Sequence, residues 1–271
     1  MQQAQSFRVA AVQTVSGGDV AANLAQAAPL VAEAAGRGAR LVVLPEYFGI
    51  LGAHATDKLA VQERDGDGPQ QAWLSAQAKA HGIWLVGGTV PVASSDPARV
   101  RSASLVYGPD GARVARYDKI HLFAFARGAE RYDEGQTIER GNERATFELP
   151  CGRVGMSVCY DLRFPELYRG LGELALILVP AAFTAITGAA HWHVLLRTRA
   201  IENQCYVLAA AQGGEHPNGR RTYGHSVLID PWGEIVAERA EGPGIVVGDI
   251  DPARLAEVRA ELPALTHRVF R

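Results

Sequence analysis

A disulfide framework, a membrane-spanning stretch and a phosphate-cradling loop are all missing from this sequence. Its 271 residues contain three cysteines, Cys151, Cys159 and Cys205. An odd, scattered set does not make a disulfide framework, and none of the three has a Cys-x-x-Cys companion for a metal. A reducing cytoplasm is the compartment this implies. No stretch reaches the uninterrupted apolar length that spans a bilayer, and the N-terminus lacks the basic, apolar, small-residue pattern of a secretory signal. Lys+Arg 27 against Asp+Glu 29 leaves a formal net charge of -2. That mixed balance argues against nucleic acid or an anionic membrane as partner. No Gly-x-x-x-x-Gly-Lys loop or Gly-x-Gly-x-x-Gly fingerprint occurs, and no Gly-x-Ser-x-Gly elbow presents a serine nucleophile.

What is present is a core: 48% of the residues are hydrophobic, enough for one large domain. The apolar run Phe7–Gln13 predicts a buried strand, the alanine-rich segment from Asp19 to about Ala35 a helix, and Leu41–Glu46 a second strand closed by Pro45. Pro69–Ala80 reads as a helix and Gly82–Val90 as a strand. The second half repeats the scheme: strand Arg153–Val158, helix Pro165–Gly170, strand Leu174–Val179 closed by Pro180. Each half also carries a strand pair around a Pro-x-Gly turn, at Pro109-Asp-Gly111 and Pro231-Trp-Gly233. Two similar halves without a linker predict one domain over residues 1–271. Strands alternating with helices predict an α/β fold, a four-layer αββα sandwich with two mixed β-sheets inside and helices outside.

The chemistry-bearing candidates sit at predicted strand ends. Cys159 closes the strand Arg153–Val158, just before a turn and a helix opened by Pro165. Unused backbone amides there favour a thiolate, which suits a nucleophile, although a buried cysteine is also an ordinary small hydrophobe. Glu46 follows an all-apolar strand, where a carboxylate is either a cap or ion-pair partner or a general base with a raised pKa. Lys119, flanked by Ile120, Leu122 and Phe123, is either a surface charge or a tethered ammonium that stabilises an oxyanion. His121 would share its face if the strand continues. Asp133-Glu134-Gly135 reads as a turn or as a second carboxylate orienting that lysine. His191-Trp-His193 invites a metal reading, yet residues two apart on a helix do not share a face, so no metal is assigned.

Leu44-Pro-Glu46, Asp118-Lys-Ile-His-Leu-Phe123 and Val158-Cys-Tyr-Asp-Leu-Arg-Phe-Pro-Glu-Leu167, in that order, resemble the signature segments of the nitrilase superfamily of carbon–nitrogen hydrolases. The similarity runs from about Phe7 to Arg268. Within the superfamily the chain is most similar to the Nit branch, through Pro180-Ala-Ala-Phe-Thr184, Thr187-Gly-Ala-Ala-His-Trp192, Arg199-Ala-Ile-Glu-Asn203 and Tyr223-Gly-His-Ser226. The run Gly219-Arg-Arg-Thr-Tyr-Gly-His225 leans toward the deaminated glutathione amidases of that branch.

The resemblance implies a role for each matching position: Glu46 as base, Lys119 as oxyanion-binding lysine, Cys159 as nucleophile and Glu134 as the branch's additional glutamate. It implies an amidase that needs no cofactor or metal and assembles as a homodimer through its C-terminal segment. A small carboxylated amide of the deaminated glutathione kind would be hydrolysed to an acid and ammonia through a cysteine thioester. Omega-amidase action on 2-oxo acid amides, nitrilase action and N-carbamoyl amine hydrolysis use the same groups, and a catalytically silent scaffold is the non-enzyme alternative. Substrate contacts are expected from Tyr160 through its backbone N–H, from Arg163, which could pair with a substrate carboxylate or with Glu166, and from Phe183, Thr184 and Tyr47. One departure stands out. Where the branch usually has an acidic loop after Phe123, this chain has Ala124-Phe-Ala-Arg-Gly-Ala-Glu-Arg131.

Overall fold

The computed structural model describes residues 6–128 and 130–269. The first half supplies β1 (Phe7–Gln13), α1 (Val20–Gly36), β2 (Leu41–Val43), α2 (Asp57–Ala60), α3 (Pro69–His81), β3 (Trp84–Val86), β4 (Val90–Ala93), β5 (Val100–Tyr107) and β6 (Arg113–Asp118). A hairpin of β7 (Ala124–Arg127) and β8 (Glu130–Asp133) follows. The second half supplies β9 (Thr146–Leu149), β10 (Gly152–Met156), α4 (Pro165–Arg169), β11 (Leu176–Ala181), α5 (Ala185–Asn203) and β12 (Tyr206–Ala211). Then come β13 (Gly213–Glu215), β14 (Arg221–Tyr223), β15 (Ser226–Ile229), β16 (Ile235–Arg239), β17 (Gly244–Ile250) and α6 (Pro252–Glu261).

A 7-stranded sheet runs β17-β1-β2-β3-β5-β4, with β6 also paired to β5. A 6-stranded sheet runs β16-β15-β12-β11-β10-β9. Both are mixed. β1, β2 and β3 are parallel, as are β10, β11 and β12, while the flanking strands run antiparallel.

The period of two along each strand assigns the layers. Val9 and Ala11 of β1 and Leu41 and Val43 of β2 join Val154, Leu176 and Leu178 in the core between the sheets. The alternate residues Ala10, Val12 and Val42 pack outward on Ala27 and Val31 of α1 and Leu74 and Ala78 of α3. On the far side of the second sheet, Trp192, Leu196 and Ala200 of α5 cover β12 and β15. This is the four-layer αββα sandwich.

Several boundaries differ from expectation for identifiable reasons. Gly82–Val90 is two strands, β3 and β4, interrupted at Gly87 and Gly88. Proline does not end β11: Pro180 pairs with Ala210, and the strand continues to Ala181. Nor does β10 reach the cysteine. It stops at Met156, and Cys159 opens a 3₁₀ turn to Arg163 at φ 48, a left-handed conformation that side chains rarely adopt. The Pro-x-Gly turns join β5 to β6 and β15 to β16, as predicted. Among the described residues, no helix is long and apolar enough to cross a membrane.

Candidate active site

Parallel strands in both sheets point their carboxyl ends to one edge of the sandwich. There the chain after β2 delivers Glu46, the chain after β6 delivers Lys119, and the chain after β10 delivers Cys159. Glu46 is 1% exposed and Lys119 is 0% exposed. The Lys119 Nζ donates to Glu46 Oε1 at 2.7 Å and to both oxygens of Glu134, at 2.9 and 2.7 Å. Both the surface reading of Lys119 and the simple-turn reading of Glu134 are therefore incorrect.

Every oxygen of the two carboxylates is engaged. Glu46 Oε2 accepts from the Ala182 N–H at 2.9 Å, just past the end of β11. Glu134 Oε1 accepts from the Tyr47 hydroxyl at 2.6 Å, and Oε2 from the Phe123 N–H at 2.7 Å. Tyr47 itself sits at φ 59, held by its N–H to Thr89 Oγ1 at 2.9 Å. Backbone strain of this kind persists where the surroundings over-determine it.

The electrostatics follow from one cation between two carboxylates. Burial pushes the Glu46 carboxyl above its usual range, against the pull of Lys119. Burial acts the same way on Glu134, but Lys119, Tyr47 and the Phe123 N–H outweigh it and hold this carboxyl low. Burial works against the Lys119 ammonium, yet Glu134 and Glu46 together raise its pKa well above the ordinary value. The Cys159 thiol is pushed well up, first by burial and then by the charge of Glu46. This corrects the expectation that backbone amides would favour a resting thiolate. Both effects favour the proton on sulfur, and the Glu46 carboxylate stands against the thiol.

Asp161, which the sequence did not single out, ties the segments together. Fully buried, it accepts from Tyr117 Oη at 2.7 Å, the His121 N–H at 3.1 Å and the Val158 N–H at 2.8 Å. His121 does not share the face of Lys119, because β6 ends at Asp118. Its Nδ1 lies 2.7 Å from Asp161, and its ring stacks on Phe164 at 3.7 Å between centroids. One carboxylate thus links the lysine loop to the cysteine turn. Asp161 lies within the signature segment that begins at Val158, but its donors from Tyr117 and His121 come from a distant segment, so only the structure reveals its linking role.

The remaining predicted residues surround this centre. The Arg163 guanidinium lies over Tyr160 (5.7 Å) and Phe183 (5.4 Å) and donates to His191 Nδ1 at 3.2 Å. No Arg163–Glu166 ion pair occurs among the described residues. Phe183 packs on Trp192, and Thr184 caps α5 through the Thr187 N–H. Cys151 lies in the turn between β9 and β10 and Cys205 just before β12, both buried and unpaired. His193 and His191 have different partners, as their spacing predicts: His193 Nε2 lies 2.7 Å and His225 Nδ1 2.5 Å from Glu238 Oε1. These three form a potential cation-binding group with ligand atoms within 4.8 Å of one another, a combination of elements that the sequence did not suggest.

Gly88 explains how Glu46 is held. A Cβ at this position would stand 1.8 Å from the Pro45 carbonyl oxygen and 2.8 Å from that of Leu44. Replacing Gly88 with alanine must push the Leu44–Glu46 segment aside. The expected result is a loss of about 2–4 kcal/mol in chemical denaturation, together with reduced kcat. Unchanged stability and kcat would show that this close approach does not position Glu46.

The comparison with known families makes this chain a hydrolase of carbon–nitrogen bonds. The chain belongs to the carbon–nitrogen hydrolase family, whose model matches residues 8–260. It is 41% identical to a deaminated glutathione amidase of Synechocystis sp., over 97% of this chain and 98% of that one. It is 38% identical to an omega-amidase of Danio rerio, over 97% of this chain and 94% of that one. Among solved structures, the NitFhit protein of C. elegans superposes with a TM-score of 0.90 at 36% identity, covering 99% of this chain and 66% of that longer one.

Proposed function

We propose that this protein is a cysteine-dependent amidase acting on a small carboxylated amide, of the kind that deaminated glutathione represents. One observation carries the reading: where the strands of both sheets end, the buried Lys119 ammonium donates to both Glu46 and Glu134, and Glu46 stands against the Cys159 thiol. In this reading Glu46 takes the Cys159 proton as sulfur attacks the amide carbon. The Lys119 ammonium and the Tyr160 N–H, in a first helical turn that offers it no acceptor, hold the oxyanion. Glu46 returns the proton to the leaving nitrogen, giving a thioester. Ammonia leaves from a primary amide, an amine from a substituted one. Water deprotonated by Glu46 then releases the acid and restores the thiol. Glu134 keeps Lys119 charged and in place, and Arg163 is available for the carboxylate of the acyl portion. No step calls for a cofactor or metal.

Assay of acid release from deaminated glutathione, 2-oxoglutaramate, an N-carbamoyl amine and a simple nitrile tests the reading. Preference for the first by orders of magnitude supports it, and preference for the nitrile or the carbamoyl amine overturns it. Omega-amidase action, the second reading, predicts 2-oxoglutaramate as the best substrate and is supported by the likeness to that group. The pH profile gives a separate check. Only ionised Glu46 accepts the thiol proton, and burial raises its pKa, so kcat/KM should fall on the acid side at a pH above the ordinary glutamate value of 4.5. An acid limb at or below 4.5 would contradict the assignment.

The same reading covers assembly and location. Ile186, Val194 and Ile201 stand exposed on one face of α5, and Trp232, Ile235 and Val236 are exposed as well. They support a homodimer, and exposed Leu262 and Val269 support placing the C-terminal segment at its contact. Three buried, unpaired thiols fit the cytoplasm.

A further inference from the structure

A cavity of about 800 Å³ opens beside Glu134, on the Tyr47–Phe123 side of the site. Its walls include Tyr47, Lys58, Phe123, Phe125, Tyr132 and Arg220. Arg163, Tyr160 and Phe183 do not line it, so a second cationic place exists apart from Arg163. The Lys58 Nζ donates only to Thr137 Oγ1, at 3.1 Å, and lies 5.8 Å from the centre of the Tyr47 ring. The Arg220 guanidinium stacks over Tyr132 at 4.7 Å. Neither forms an ion pair among the described residues. Two carboxylates line the same cavity: Glu134 has both oxygens occupied by Lys119, Tyr47 and Phe123, and Asp133 accepts from the Gly135 N–H and the Gln136 side-chain amide. Burial lowers the Lys58 pKa, and the charges of Lys119 and Arg220 lower it further, against the pull of Glu134. Two like charges facing a half-apolar cavity are stabilised by an anion placed between them.

The sequence around these residues explains why the cavity has this character. The segment after Phe123 that lacks the usual acids forms the β7–β8 hairpin, which supplies Phe125 and Tyr132 as walls. The arginine-bearing run 219–225 supplies Arg220, which Tyr132 holds by stacking. Planar guanidinium on an aromatic face leaves its edge N–H groups free for a carboxylate.

We propose that Lys58 and Arg220 form a subsite for a carboxylate on the amine portion of the substrate and so set the specificity for amides that carry one. This inference rests on the amidase reading above. The acyl portion, with its own carboxylate, lies on the Arg163 side, and the wider cavity holds the amine portion. A cavity of this size accommodates a dipeptide-sized group and is larger than ammonia as leaving group requires.

The test compares two amides with the same acyl group: deaminated glutathione, whose amine portion ends in a carboxylate, and 2-oxoglutaramate, which releases ammonia. Formation of 2-oxoglutarate is followed for both. Arg220→Gln should lower kcat/KM for deaminated glutathione by about 10- to 100-fold, mainly through KM, and lower that for 2-oxoglutaramate much less. Arg220→Lys should recover part of the loss, and Lys58→Met should act in the same direction as Arg220→Gln. Independently of any variant, the unaltered protein should disfavour deaminated glutathione whose terminal carboxylate is converted to the amide, again by about tenfold or more. Equal losses on both substrates, or indifference to that terminal amide, would overturn the subsite while leaving the amidase reading intact. Failure of the unaltered protein to hydrolyse either compound would overturn the amidase reading and the subsite with it.

Discussion

Cys159→Ala should reduce amide hydrolysis by about four orders of magnitude or more while leaving the fold unchanged. The reason is local. No other thiol lies near Glu46 and Lys119: Cys151 is in the β9–β10 turn and Cys205 lies just before β12, and burial raises their pKa values to about 11 and about 12. Neither can replace the missing sulfur. Removing the Cys159 side chain leaves a space about the size of one sulfur and takes away a neighbour that burial already disfavours as an anion. Thermal unfolding should therefore shift little. Circular dichroism and a melting curve, set beside turnover, separate lost chemistry from lost structure. Retained turnover above that level would contradict the role of Cys159.

Lys119→Met should be costly in both respects. It removes the cation that Glu46 and Glu134 share and leaves a buried and a partly buried carboxylate facing each other. Breaking a buried ion pair by removing one partner typically costs about 3–5 kcal/mol. One of the two carboxylates will then take up a proton near neutral pH, which removes either the base or the group that positioned the lysine. Activity should fall by at least about 10²–10³-fold through loss of an oxyanion donor alone, and further through the altered Glu46. The double variant Lys119→Met/Glu134→Gln separates the two contributions. Neutralising Glu134 relieves the repulsion, so stability should recover in part while turnover stays low. Full recovery of turnover would show that Lys119 serves the fold and not the reaction.

The sequence carried the layers and the strand ends. Continuous apolar runs in Phe7–Gln13 and Leu41–Glu46 identify strands buried on both faces, and Asp19 and Pro165 mark helix starts that the structure keeps. Glu46, Lys119 and Cys159 stood out as candidates because each lies near a strand end in a segment that resembles a family signature; taken singly, each also had an ordinary structural reading. What brings them together was not legible. Asp161 joins the lysine loop to the cysteine turn through contacts 40 or more residues apart, and Gly88 presses on Pro45 from the connection between β3 and β4. The left-handed backbone at Cys159 also escapes prediction, because non-glycine residues enter that region only when tertiary contacts hold them there. Lys58 carries no signal in the sequence, and Arg220 only its place in the run 219–225. Their lack of carboxylate partners and the cavity between them are properties of the folded chain.

The central claim is that Cys159 carries the acyl group. Rapid acid quench during turnover of a reactive amide, followed by peptide mass spectrometry, tests it directly. The account predicts one acyl group per chain, bound as a thioester on the peptide that contains Cys159, and none after Cys159→Ala. Acylation of Cys151 or Cys205 instead, or the same adduct in the Cys159→Ala protein, would contradict it.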